Sequence, residues 1–189
     1  MPTRVSPGAR QGRTYHSTPR RSTCGAPTSI KDSAVSEAPA GVRLVQPPSW
    51  RKAAAFDVEN FGVDAWPENV WKEELAAYER TYLALVTDTQ IGPGTLVGLG
   101  GVTHGPEVEV LTLAVSAHMR GRGLGGYLLG ELLQIPRIHG AEAVFLEVRA
   151  HDAGAQRLYE RAGFVAVGWR RNYYHDDDAV IMRLDLAGA

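Results

Sequence analysis

A glycine-rich segment at residues 120–126 constrains this chain more than any other feature of its sequence. It reads Arg-Gly-Arg-Gly-Leu-Gly-Gly and lies between an apolar run at residues 110–115 and the apolar residues 127–129. This order predicts a strand that runs into a glycine loop, which opens a helix. Glycine lets the backbone approach a ligand, and the first helical turn leaves N–H groups without intrahelical acceptors. We therefore expect the loop to bind an anion such as a pyrophosphate.

Two classes of cofactor share such a loop. Residues 121–126 satisfy the G-x-G-x-x-G pattern of dinucleotide sites, and Glu147 lies about where that fold has its ribose-binding acid. A dinucleotide fold, however, requires an all-parallel βαβαβ unit that begins at the loop. Here a predicted three-strand meander precedes the loop, and too few residues follow it. The other pattern, Arg120-x-x-Gly123-x-Gly125, is the phosphate loop of a coenzyme A site and is the favoured interpretation.

The composition predicts one folded domain with a tail. The chain has 189 residues, 44% of them hydrophobic, and no apolar run long enough to span a bilayer. Residues 1–41 carry six basic and two acidic side chains and are rich in Pro, Ser, Thr and Gly. We expect them to be a disordered basic tail that binds no nucleic acid, followed by a domain at residues 42–189. The single cysteine, Cys24, cannot form an intramolecular disulfide, and we expect a cytoplasmic protein without membrane contact.

Apolar periodicity divides the folded part into seven strands and four helices. Gly163 is expected to stop the last helix, and Pro136 to kink the third helix or end it early. The expected order is β-α-α-β-β-β-α-β-α-β-β, an α/β (α+β) fold with a mixed, mostly antiparallel sheet. The predicted strands span residues 42–45, 81–87, 94–103, 107–115, 143–148, 165–170 and 179–186, and the predicted helices span residues 50–61, 67–78, 124–139 and 153–162.

Several short motifs in this order resemble the GCN5-related N-acetyltransferase (GNAT) family. They are Leu-Thr-Leu-Ala-Val at residues 111–115, Arg-Gly-Arg-Gly-Leu-Gly at 120–125 and Gln-Arg-Leu-Tyr-Glu-Arg-Ala-Gly-Phe at 156–164. Leu-Glu-Val-Arg at residues 146–149 and Arg-Arg-Asn-Tyr-Tyr at 170–174 are similar to the ribosomal-protein-alanine N-acetyltransferase (RimI-type) subgroup. The resemblance implies the GNAT fold, with strands splayed at an acetyl-CoA site, and an acetyltransferase activity.

The implied reaction needs a base for the amine and an acid for the leaving thiolate. An α-amino group has a pKa of about 8, so a weak base is sufficient to remove its proton near neutral pH. By the resemblance, Glu147 is the base, directly or through a water, and Tyr159 is the general acid. The structural alternatives are a solvated Glu147 paired with Arg149 or Arg171, and an ordinary helix tyrosine at Tyr159. The presence of both residues argues against a non-catalytic acyl-CoA-binding module.

The resemblance also implies how acetyl-CoA is held. A backbone N–H of the strand before the loop would polarise the thioester carbonyl, and the same strand would pair with the pantetheine amides. Loop N–H groups, with two arginines, would hold the pyrophosphate. Asp152 replaces an amide residue of the subgroup and is a candidate contact. The candidate cofactor residues are Leu113, Ala114, Val115, Arg120, Gly121, Arg122, Gly123, Leu124, Gly125, Gly126, Asp152 and Tyr159.

The acceptor is expected between the last two strands. Tyr173, Tyr174 and Asp177 would form an acidic, aromatic mouth for a cationic N-terminus, with Trp66 as the opposite wall. The alternatives are a solvated aspartate-rich turn and a Trp66 that is part of the core. We expect the acceptor to be a protein N-terminus, such as that of a ribosomal protein.

Two departures from the subgroup leave the acceptor open. His151-Asp152 stands where the subgroup has Ser-Asn, and the loop after Tyr174 is short. A small amine, such as a polyamine, an amino acid or an aminoglycoside, is therefore the alternative acceptor. The six histidines show no metal-ligand spacing, so we expect no metal, and we expect a monomer or a weak homodimer.

Overall fold

The computed structural model of the chain describes residues 3–4, 38–47, 49–88, 94–105 and 107–186. The predicted order of elements is confirmed, each bound lying within two residues of its prediction, and one additional strand, β1, precedes them. The helices are α1 (Trp50–Phe61), α2 (Glu68–Ala76), α3 (Leu124–Ile138) and α4 (Ala153–Arg161). The strands are β1 (Thr3–Arg4), β2 (Val42–Val45), β3 (Arg80–Thr87), β4 (Leu96–Thr103), β5 (Glu107–Val115), β6 (Ala143–Arg149), β7 (Val165–Arg170) and β8 (Ala179–Asp185).

The strands form a single mixed sheet. Its order is β2-β3-β4-β5-β6-β8-β7, and β1 pairs with β5 outside this path. β5 and β6 run parallel, whereas the other described pairs are antiparallel. The mostly antiparallel sheet and the meander of β3, β4 and β5 are thus confirmed.

Helices cover both faces of the sheet. Successive strand residues point to opposite sides, so each strand contributes apolar side chains to both of the layers formed. Ala84 and Leu85 on β3, for example, belong to two different buried clusters. The first cluster joins α3 and α4 to the sheet and includes Leu128, Leu132, Leu146, Val148, Tyr159 and Met182. The second joins α1 and α2 to the opposite face and includes Phe56, Trp66, Trp71, Leu99 and Leu111.

Two glycines on β4 make room for bulky side chains, one on each face of the sheet. A Cβ atom on Gly101 would lie 2.3 Å from the ring of Tyr82, and one on Gly100 would lie 2.6 Å from Leu132. Both distances are below any normal carbon–carbon contact. The glycine-rich sequence of β4 therefore makes room for Tyr82 on one face and for α3 on the other.

β5 and β6 separate part-way along their length. They pair only between Glu107–Glu109 and Ala143–Phe145. Beyond this point β1 pairs with β5 at Thr112 and Leu113, and since β4 occupies the other edge of β5, β1 lies on the β6 side. Thr3–Arg4, predicted to belong to a disordered tail, thus forms a strand at the gap, whereas residues 5–37, with Cys24, lie outside the described residues.

Pro136 was expected to kink the third helix or to end it early, and of these two alternatives the early end is wrong. α3 continues to Ile138, two residues beyond the proline. A proline in the last turn removes one N–H donor and crowds the carbonyl four residues earlier, but it leaves no further turn of helix to disrupt. Pro136 is buried, and its own carbonyl accepts a hydrogen bond from the N–H of Ala141 at 3.0 Å. Apolar burial and this turn offset the lost bond.

Candidate active site

A cavity of about 470 Å³ lies between the end of β5, the glycine loop and α4. Most of the predicted cofactor residues line it, including the strand residues and Tyr159. Arg122 and Asp152 are not among its lining residues. The predicted residues that line the cavity are Leu113, Ala114, Val115, Arg120, Gly121, Gly123, Leu124, Gly125, Gly126 and Tyr159.

The conformation of the loop explains two of its glycines. Gly121 has φ of 76° and Gly123 has φ of 79°, in the left-handed region that other residues rarely adopt. No atom lies within 4 Å of a Cβ built on either residue, so the backbone conformation, and not space, requires glycine. Gly123 is also the N-cap of α3, whose first turn lines the cavity. The cavity thus faces N–H groups that have no intrahelical acceptor, as an anion site requires.

One of the predicted arginines, Arg120, lines the cavity and also has partners within the protein. Arg120 donates from Nε to the carbonyl of Val115 at 2.9 Å and from Nη2 to Oδ1 of Asn60 at 3.3 Å, which ties the loop to β5 and α1. Arg157 and Arg161, one turn apart on α4, line the cavity and were missed by the sequence analysis. Their spacing of four residues, which places two cations on one helix face, was the available signal.

Asp152 caps α4. Its Oδ1 accepts hydrogen bonds from the N–H groups of Gly154 at 3.1 Å and Ala155 at 2.9 Å. An N-cap aspartate satisfies donors that the first helical turn leaves open. Asp152 lines a second cavity of about 330 Å³ on the acceptor side, so the structure does not bring it to the predicted cofactor cavity.

Glu147, the predicted base, lies on β6 where β5 has already separated from it. Its side chain is only 2% exposed, and Nε of Arg170 lies 3.5 Å from Oε1. The hydroxyl of Tyr174 donates to the backbone carbonyl of Glu147 at 3.1 Å. The alternative of a solvated Glu147 paired with Arg149 or Arg171 is therefore wrong.

Tyr159, the predicted acid, lies on the other face of the sheet. It is buried on α4, edge-on to Phe164 with ring centroids 5.8 Å apart. Its cluster contains Leu146 and Val148, the neighbours of Glu147 in the strand, so Glu147 itself points to the opposite face. The separation of β5 from β6 opens the sheet between these two side chains.

The guanidinium of Arg149 links two segments on the acceptor side of the molecule. Arg149 forms ion pairs with Asp64, in the turn between α1 and α2, and with Asp176 at 2.5 Å, in the loop between β7 and β8. It also lies over the ring of Tyr174, 4.6 Å from the centroid. We call Arg149, Asp64 and Asp176 the Arg149 bridge. It joins the two segments between which the acceptor was expected to enter.

The aspartates of this loop already have partners within the protein. The hydrogen bond from Arg149 holds the pKa of Asp176 below its ordinary value. Burial raises the pKa of Asp177, but hydrogen bonds from the backbone and ring of His151 and from the N–H of Asp178 outweigh it, and the net pKa is lowered. Asp177 contacts Nδ1 of His151 at 2.6 Å. The aspartates of the predicted acidic mouth thus already accept hydrogen bonds from within the protein.

Trp66 belongs to the core in place of the predicted acceptor wall. It is 4% exposed and packs on Trp71, with ring centroids 5.2 Å apart. Its backbone N–H donates to Oδ2 of the buried Asp57 at 2.7 Å. Trp66 therefore fixes the turn between α1 and α2, which carries Asp64.

Within the described ranges, no three His, Cys, Asp or Glu side chains are grouped so as to hold a metal ion. In the same part of the chain, none of the helices has the length and apolar character needed to cross a membrane.

Comparison with known proteins decides the family. The model of the acetyltransferase (GNAT) family matches residues 48–164. The chain belongs to the GNAT family. The family and the fold expected from the motifs are thereby confirmed.

The chain is similar to two further proteins and one solved structure as follows. The N-alpha-acetyltransferase RimI of Mycobacterium tuberculosis is 37% identical over 143 residues, which cover 71% of this chain and 85% of that protein. The uncharacterized protein ML0378 of Mycobacterium leprae is 40% identical over 129 residues, 65% of this chain, but the chain spans only 34% of its length. The crystal structure of the ribosomal-protein-S18-alanine N-acetyltransferase from Escherichia coli has a TM-score of 0.68 and 25% identity, covering 78% of this chain and 96% of that one.

Proposed function

We propose that this GNAT protein transfers an acetyl group from acetyl-CoA directly to the α-amine of a protein N-terminus, without an acyl-enzyme. One observation carries the proposal. A buried carboxylate, Glu147, and a buried phenol, Tyr159, lie on opposite faces of the sheet beside the gap between β5 and β6. A base and an acid separated in this way can serve the two ends of one transfer reaction.

The residues of the cavity fit acetyl-CoA. The first turn of α3 and the glycine loop supply N–H groups for the pyrophosphate, and Arg157 and Arg161 supply positive charge beside it. The β6-side edge of β5 at Leu113–Val115 would pair with the pantetheine amides. β1 uses part of this edge at Thr112 and Leu113, so the two compete for it. Bound there, acetyl-CoA supplies an activated acetyl group as a thioester.

The chain's own residues would handle the protons. Glu147 would take the proton of the acceptor amine, directly or through a water, so that the nitrogen can attack the carbonyl carbon. As the new C–N bond forms and the C–S bond breaks, Tyr159 would give its phenolic proton to the departing sulfur. A phenol with a pKa near about 10 suits a thiol leaving group.

The acceptor class is inferred from the relatives. One is named an N-alpha-acetyltransferase, and the solved structure is named for the alanine of ribosomal protein S18. Tyr173, Tyr174 and Asp177 would receive the acceptor N-terminus, and the hydroxyl of Tyr174 contacts the backbone carbonyl of Glu147. A cytoplasmic location and a monomeric or weakly dimeric state stay predictions.

A small amine is the second candidate acceptor, and the Arg149 bridge favours it. A peptide needs an open groove between the α1–α2 turn and the β7–β8 loop. The bridge joins these two segments, which favours an acceptor smaller than a peptide.

Steady-state acetylation tests the proposal, with release of free thiol as the readout. A hexapeptide beginning Ala-Arg is compared with polyamines and free amino acids. We expect selective turnover of the peptide. Turnover of small amines alone would favour the second candidate, and binding of acetyl-CoA without turnover of any amine would contradict an acetyltransferase.

Glu147→Gln tests the base. A general base contributes about 10²- to 10⁴-fold, so we expect a loss of this order at pH 7. The rate should recover by about tenfold towards pH 9, since the α-amine then loses its proton unaided. Glu142→Gln, at an exposed position just before β6, is the matched control. An equal loss at every pH would mean that Glu147 is not the base.

A further inference from the structure

The carboxylate of Glu147 is held in a place where a charge is costly. Both of its oxygens are buried, and its side chain is 2% exposed. Burial disfavours the ionised form of a carboxyl, whereas a nearby cation favours it. A base must be ionised to accept a proton, so a cation that faces Glu147 bears directly on the reaction.

Strand register identifies the side chains on this face. Ala179 of β8 pairs with Arg149 of β6 on one side and with Arg170 of β7 on the other, so the three share one face of the sheet. Glu147 lies two residues before Arg149 and therefore on the same face. Nε of Arg170 lies 3.5 Å from Oε1 of the Glu147 carboxylate, so the arginine reaches from β7 to β6 beyond the small Ala179 of the strand between them.

Two of the arginines near Glu147 form ion pairs with other carboxylates. Arg149 pairs with Asp64 and Asp176 in the Arg149 bridge, and Arg183 of β8 pairs with Asp185 at 2.7 Å. Arg170 contacts Glu147, and its guanidinium carbon lies 5.7 Å from the ring centroid of Tyr173. Among the described residues of β6, β7, β8 and the two neighbouring segments, the charged or titratable groups near this face include Asp64, Arg149, Arg170, Tyr173, Tyr174, Asp176, Asp177 and Arg183.

We propose that Arg170 is a positioning residue that keeps Glu147 ionised and aligned with the acceptor, and that it couples Glu147 to Tyr173. The inference rests on the proposed function, since it assigns Arg170 to the base of that reaction. Arg170 acts through Glu147 and is not itself a proton donor or acceptor in the transfer. Loss of its charge leaves the buried carboxylate to take up a proton at a higher pH than in the wild type.

The pH dependence of kcat/KM for the peptide tests this role. We expect Arg170→Gln to move the acidic limb of the profile upward by about one pH unit, which is a tenfold loss below the limb, with wild-type rates at high pH. Arg170→Lys, which keeps the charge, should restore most of the activity. Arg171→Gln, at the exposed neighbouring residue, is the control and should match the wild type. An unchanged profile for Arg170→Gln, or an equal loss at all pH values, would overturn the proposal.

A stability cycle separates this inference from the proposed function. Tm is measured for the wild type, Arg170→Gln, Glu147→Gln and the double variant. We expect Arg170→Gln to lower Tm more in the presence of Glu147 than in the Glu147→Gln background. Absence of wild-type turnover would refute the proposed function while leaving this coupling readable. An equal loss of Tm in both backgrounds would refute the contact between Arg170 and Glu147.

Discussion

Replacement of Asp152 by alanine should destabilise the protein through α4. The cap satisfies two backbone donors, those of Gly154 and Ala155, in a helix of nine residues that carries Tyr159. Gly154 is exposed, so water can replace that bond, whereas Ala155 is buried. Loss of an N-cap costs about 0.5–2 kcal/mol, and the buried donor places this case at about 1–2 kcal/mol. For a domain of this size, that lowers Tm by about 2–8 °C.

Thermal unfolding of Asp152→Ala and Asp152→Asn, with and without acetyl-CoA, tests this reasoning. Asparagine keeps the oxygen that accepts both bonds but removes the negative charge, so Asp152→Asn should stay close to the wild type. The added stabilisation by acetyl-CoA should be similar in all three proteins, because Asp152 does not line the cofactor cavity. Equal destabilisation by asparagine and alanine would refute the capping role. A selective loss of acetyl-CoA stabilisation in Asp152→Asn would restore the predicted cofactor contact.

Three further outcomes are expected. Arg157→Gln should weaken acetyl-CoA binding about two- to fivefold by calorimetry, as suits an exposed charge, whereas Arg137→Gln, outside the cavity, should have no effect. Removal of residues 1–37 deletes β1 from the edge of β5, so acetyl-CoA should bind at least as tightly, and weaker binding would contradict the competition. Arg149 lowers the pKa of Asp176, so their ion pair is fully formed above the ordinary pKa of 3.8 and is lost as the pH falls through the lowered pKa. Hydrogen exchange at residues 171–178 should become faster over that pH range, and an unchanged exchange rate would contradict this prediction.

The sequence predicted every β-strand and α-helix that the structure describes from residue 42 onward. These elements follow from local patterns, since apolar residues recur at the period of a helix or a strand whatever the rest of the chain does. The glycine loop was predictable for the same reason. Glycine readily adopts the left-handed conformation seen at Gly121 and Gly123, and the helix that follows is set by its own local pattern.

The site was only partly predictable, because its remaining features depend on residues distant in sequence. Arg170 reaches Glu147 across a third strand, and Arg149 joins Asp64 to Asp176 from two separate segments. No spacing in the sequence records such a register. Charges on exposed and buried strands look alike until the sheet order is known.

Sequence by itself thus determined the order of the elements and the position of the glycine loop, and the family resemblance named the candidate base and acid. Tertiary structure decided which cation faces the candidate base, which aspartate caps a helix, and that Trp66 belongs to the core. The physical reason is the separation along the chain over which each kind of interaction acts. Backbone conformation and amphipathic pattern are set within a few residues, whereas burial and ion pairing are set by which strands become neighbours when the sheet forms.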